Sequence, residues 1–83
     1  MTVRSTDTLR DIFRAVFELE PGADVSGFEQ GRTEAWDSLA HVSLIAAIES
    51  EFGVNIDAAE SLRLTSYAET VSVLREQGVL EGS

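Results

Sequence analysis

Cysteine is absent from the 83 residues. That removes disulfides and thiolate metal sites, and nothing points to an oxidising compartment. Lysine is absent as well, so six arginines face fifteen Asp and Glu side chains for a formal net charge of −9. Such a balance repels nucleic acid, whose binding depends on neutralising phosphates with cations. There is one proline, and 43% of the residues are hydrophobic, which sets the chain apart from disordered polymers. No apolar run approaches the length of a membrane span, and the N-terminus lacks the basic-then-apolar pattern of a secretory signal. Gly-rich phosphate loops, zinc-ligand spacings, repeats, low-complexity segments and strand alternation are also missing. The expectation is one small, soluble, cytoplasmic, monomeric domain with a modest core and no deep enzyme cleft. It should bind neither nucleic acid nor membrane, and no metal ligands are assigned.

What remains is helical periodicity. Leu9, Ile12, Phe13, Val16, Phe17 and Leu19 recur at three- and four-residue spacing, behind candidate caps Ser5, Thr6 and Asp7. They predict an amphipathic helix over about residues 6–19, with Arg14 and Glu18 paired on its outer side and Pro21-Gly22 as its stop. Residues 20–36 have no period and read as a long loop; loops of that length are anchored or functional, and Val25 and Phe28 are the expected anchors. A second helix is predicted over 38–52, ended by Gly53 as a C′ residue. Asp57 and Ser66 each precede an acid by three residues, a cap signature that opens a short helix over 58–62 and another over 67–77. The last of these has Tyr67, Ala68, Val71 and Leu74 as its apolar positions, with Val73 at the edge. Residues 1–4 and 79–83 are expected to be loose ends.

The chain is organised around the second helix. Asp37 has a short side-chain acceptor and precedes a sustained helical run, so it reads as an N-cap. Ser38 then falls in the first turn, beside backbone N–H groups with no helical partner, where a phosphate on its oxygen would be favoured. His41, Leu44, Ile45, Ile48 and Phe52 form one stripe. Leu39, Val42 and Ala46 form a second, turned away from the first. A helix in a small bundle buries one broad face, so the second stripe is either an interaction surface or lies beneath the long loop. Ser38 and His41 invite a nucleophile–base reading, but no orienting acid, oxyanion hole or pocket accompanies them. No catalytic residue is assigned, and the chain is read as a non-enzyme. Trp36 either covers the bundle end or shapes a docking surface.

Asp37-Ser38-Leu39 at the head of an apolar helix resembles the modification site of acyl carrier proteins. The likeness continues through Glu49-Ser50-Glu51-Phe52-Gly53-Val54, Asn55-Ile56-Asp57 and the final helix, covering most of the chain. It implies an all-α, four-helix carrier-protein bundle, with three principal helices, one short helix and a long loop between the first two. It implies 4′-phosphopantetheine from coenzyme A on Ser38, with Asp37 and Leu39 as the flanking recognition residues. The attached thiol would tether acyl, polyketide or aminoacyl groups as thioesters. Partners would be a phosphopantetheinyl transferase and acyl-loading, synthase or tailoring enzymes with basic docking surfaces. Short ends suggest a discrete carrier.

No cation lies between Arg32 and Arg63, while Glu34, Asp37, Glu49, Glu51, Asp57 and Glu60 do. Such a one-sided field steers basic partners. The expected partner surface is therefore Val42 and Ala46 rimmed by Glu49, Glu51, Asp57 and Glu60. Ala40 and Ser43 stand where many relatives carry acids, which leans the expected pathway toward polyketide, lipopeptide or other specialised synthesis rather than primary fatty-acid synthesis. The alternative is an unmodified interaction module of the same fold.

Overall fold

The computed structural model describes residues 4–81, in which four helices are arranged about a core of aliphatic and aromatic side chains. They are α1 (Thr6–Val16), α2 (Ser38–Phe52), α3 (Ala58–Arg63) and α4 (Tyr67–Glu76). The described residues contain isolated bridges but no strand, so the architecture is the all-α bundle that the periodicity implies. The aromatic centre is Phe13, whose ring lies 5.6 Å from Trp36 and 5.2 Å from Tyr67, both edge-on. Such pairs add to area burial because a ring's positive edge meets a negative face.

Helix α1 ends at Val16, three residues short of the expected end. Its hydrogen bonds explain the shortfall. Glu18 adopts a left-handed φ of 55°, its N–H donates to Ala15 O at 3.3 Å, and the Leu19 N–H donates back to Arg14 O at 2.7 Å. This is a Schellman closure with glutamate where glycine is usual. Leu19 turns in and packs against the core, so its burial offsets the left-handed backbone at Glu18. The expected Arg14–Glu18 pair does not form. Arg14 instead bridges to Asp11 at 3.2 Å and donates from Nε to Ala23 O at 2.9 Å, tying the loop to α1.

The loop between α1 and α2 is pinned. Val25 is buried and Phe28 packs against the core, its ring 5.3 Å from Phe17. Backbone bonds then fasten the loop to the start of α4, from Gln30 N–H to Thr65 O at 2.8 Å and from Tyr67 N–H to Phe28 O at 3.0 Å. Trp36 is 3% exposed and belongs to the core; it does not shape a docking surface.

Three helices are capped by the residue before them. Asp37, Asp57 and Ser66 accept from the N–H groups of Ala40, Glu60 and Glu69 at 2.8, 2.8 and 3.0 Å. Ser5 precedes α1 without a side-chain cap bond. In α4 the buried set is Tyr67, Thr70, Val71, Val73 and Leu74. Ala68, expected to be inward, is exposed. Thr70 takes the inner position instead, because its hydroxyl donates to Ser66 O at 2.8 Å and so enters the core satisfied.

The expected loose C-terminus is also corrected. Val79 and Leu80 are fully buried, and Arg4 pairs with this segment through Arg4 N–H to Val79 O and Glu81 N–H to Arg4 O, each 2.9 Å. Two apolar side chains outweigh the entropy of ordering a short tail. Residues 1–3 and 82–83, also expected to be loose, lie outside the described residues.

Candidate functional site

The start of α2 follows from local chemistry. Asp37 is extended (φ −93°, ψ −175°), and its Oδ1 accepts from the Ala40 N–H at 2.8 Å. The first bond of the helix runs from the His41 N–H to Asp37 O at 2.9 Å. The Ser38 and Leu39 N–H groups precede that bond and have no intrahelical acceptor. Ser38 itself is exposed. Its hydroxyl therefore stands in solvent at the positive end of a fifteen-residue helix. This geometry suits attachment of a phosphoryl group from outside.

His41 is not turned toward Ser38. The Trp36 Nε1–H donates to its Nδ1 at 3.0 Å, and its Nε2 lies 3.1 Å from Ser61 O and 3.2 Å from Ser61 Oγ. Both ring nitrogens are committed to structure. Its half-burial reflects this position between the loop, α2 and α3.

The two stripes of α2 separate as their spacing implies. Leu44, Ile48 and Phe52 are buried, whereas Leu39 and Val42 are 76% and 65% exposed and Ala46 is exposed. The loop does not cover them. A third large apolar side chain, Leu62 of α3, is 79% exposed; the sequence reading missed it because a single leucine in a six-residue helix has no period.

The acidic residues are scattered over different tasks. Glu49 accepts from the Ile56 N–H at 2.7 Å, fastening the link after α2. Asp57 caps α3. Glu60 accepts from Gln77 Nε2 at 2.8 Å. These three lie along the α2–α3 side. Glu51 does not join them: nine helical steps of about 100° put it roughly opposite Val42. There it lines a groove against α1 with Asp11, Ala15 and Ala47, its carboxylate 3.8 Å from Arg4. A second groove, of about 430 Å³, runs beside Ser38 between the end of α1 and the start of α2, lined by Phe17, Glu18, Asp37, Leu39, Ala40 and Ser43.

Near this surface, the strongest charge pairing is Arg63 with Glu76, bidentate at 2.9 and 2.8 Å. The Arg63 hydrogen bond holds the Glu76 carboxyl below its usual range. No group of three or more His, Cys, Asp or Glu side chains among the described residues is placed to hold a metal ion. No described helix is long and apolar enough to cross a membrane.

No protein-family model matches the chain. Over 40 residues, 48% of its length, it is 45% identical to a mitochondrial acyl carrier protein of Dictyostelium discoideum, and the match covers 33% of that protein. The chain thus spans about a third of the length of this curated relative. The similarity is thus to an acyl carrier protein over slightly less than half of this chain, and it accompanies a four-helix fold and a capped Asp37-Ser38-Leu39 helix start.

Proposed function

We propose that the chain is a carrier domain over residues 1–83 that receives 4′-phosphopantetheine on Ser38 and presents tethered acyl groups to other enzymes, itself catalysing nothing. The observation that carries this reading is the exposed Ser38 hydroxyl on the first residue of a capped, fifteen-residue helix. The residues there fit the group. Asp37 uses its carboxylate on the Ala40 N–H, which leaves the Ser38 and Leu39 N–H groups and the helix dipole for a phosphodiester. When attached, the arm supplies a terminal thiol for thioester linkage, which a chain without cysteine otherwise lacks.

The proposed partner surface is the exposed Leu39, Val42 and Ala46, extended by Leu62 and rimmed by Glu49, Asp57 and Glu60. Partners with an apolar centre and basic margin fit it, the modifying transferase first among them. Glu51 faces another groove and stands outside this surface. The lack of acids at positions 40 and 43, occupied by Ala40 and Ser43, favours specialised pathways such as polyketide or lipopeptide assembly over primary fatty-acid synthesis. A cytoplasmic location belongs to the same proposal; the Dictyostelium discoideum relative is a mitochondrial protein.

Thiol titration tests the function. The chain has no thiol of its own, so incubation with coenzyme A and a broad-specificity phosphopantetheinyl transferase, followed by removal of small molecules, should raise the titre from none to one per chain. Ser38→Ala should stay at none. A wild-type chain that also stays at none favours the unmodified interaction module.

A further inference from the structure

We propose that His41 is a positioning residue: it holds α3 against α2 and so sets the recognition surface around Ser38, a role that rests on the carrier reading above. The ring is held at both nitrogens. An indole N–H can only donate, so the 3.0 Å contact from Trp36 Nε1 requires the lone pair of Nδ1 to point at it. The ring hydrogen then sits on Nε2, where it donates to Ser61 O at 3.1 Å. The two aromatic planes lie 28° apart, close to the in-plane approach that an N–H···N bond prefers.

Helix α3 needs such a hold. It has six residues and buries none of them fully; the buried Ile56 and Leu64 anchor the chain on either side of it, and the helix between them is left to polar ties. Its side-chain fastenings Glu60–Gln77 and Arg63–Glu76 both run to α4 and its C-cap. Among the described residues, the His41–Ser61 contact is the side-chain hydrogen bond that ties α3 itself to α2.

The position of the tie gives it consequence. Trp36 stands two residues before Ser38 and His41 three after, so their bond closes across the segment that carries the serine. Ser61 is followed by the exposed Leu62, and His41 by the exposed Val42. An enzyme that reads Leu39, Val42 and Leu62 together reads two helices that this imidazole joins.

The test compares His41→Phe, which keeps an aromatic ring and loses both bonds, with His41→Gln, which keeps one donor and one acceptor. Three readouts are taken: amide hydrogen exchange by helix, the indole N–H resonance of the single tryptophan, and kcat and KM of the transferase for the carrier. In His41→Phe, α3 amides should exchange about tenfold faster while α4 is unchanged, the scale of one lost hydrogen bond. The indole resonance should shift, and KM should rise about tenfold with kcat within roughly twofold. His41→Gln should recover part of each change. If His41→Phe does not fold, Trp36→Phe removes the indole donor and should quicken α3 exchange while leaving His41 in place.

Unchanged α3 exchange, exchange that rises equally in every helix, or an unaltered KM overturns the proposal. If the wild-type chain accepts no arm, the carrier reading fails by itself. The exchange data then judge the tie alone: a rise confined to α3 upholds it, and no rise overturns it.

Discussion

Glutamate at the C′ position of α1 is a local cost that a single substitution should remove. Glu18 holds φ at 55°, a conformation that costs a non-glycine residue about 1–2 kcal/mol. Glycine adopts it freely but returns roughly 0.5–1 kcal/mol through the greater freedom of the unfolded chain. Glu18→Gly should therefore stabilise the fold by about 0.5–1 kcal/mol. With an unfolding entropy of roughly 2 cal/mol/K per residue, a chain of 83 residues should gain about 3–6 °C in Tm. Two controls separate the causes. Glu18→Ala keeps the strain and removes a carboxylate from the negative end of the helix dipole, so it should gain only a few tenths of a kcal/mol. Gly53 closes α2 at φ 66°, and a Cβ there would meet nothing within 4 Å, so Gly53→Ala should lose about as much as Glu18→Gly gains, by backbone strain alone. Thermal unfolding by circular dichroism, at fixed pH and salt, reads all three. If Glu18→Gly is neutral or destabilising while Gly53→Ala falls as expected, the Schellman account of α1 is wrong.

Other consequences follow from packing and charge. Leu80→Ala should cost about 2–5 kcal/mol, because the side chain is fully buried; a loss within noise in chemical denaturation would mean that the C-terminal segment is loose after all. Val42→Asp should change stability by less than about 0.5 kcal/mol, since the side chain is exposed, yet it should weaken transferase binding. A fall of several kcal/mol would place Val42 in the core. The Glu76 carboxyl is held below its usual range by Arg63, so its contribution is present above the ordinary carboxylate range and lost as pH falls through the lowered value. The Tm difference between wild type and Arg63→Met should accordingly shrink on acidification; a difference that grows would reverse the assigned sign.

The helices were legible because their signals are local: Asp37, Asp57 and Ser66 bond to N–H groups three residues on, and the core stripes recur with the helical period. What escaped was non-local. No spacing announces that Leu19 will turn in and draw Glu18 into a left-handed conformation. Val79 and Leu80 form too short an apolar pair to show any period, and their burial depends on pairing with Arg4 at the far end of the chain. At the candidate site, the placement of Ser38 on the first turn of α2 could be read from Asp37 and the helix that follows. The engagement of His41 could not, because its partners are a buried indole and a carbonyl twenty residues on. The acids looked alike in sequence, but Glu49 and Glu60 serve internal bonds and Glu51 faces α1, distinctions that only three-dimensional neighbours create.

The central claim is that Ser38, and no other serine, carries the arm. With no cation between Arg32 and Arg63, trypsin leaves residues 33–63 as one peptide that contains Ser38, Ser43, Ser50 and Ser61. After incubation with coenzyme A and transferase, fragmentation mass spectrometry of that peptide should place one phosphopantetheine on Ser38. An unmodified peptide, or an added mass that maps to Ser43, Ser50 or Ser61, would contradict the account.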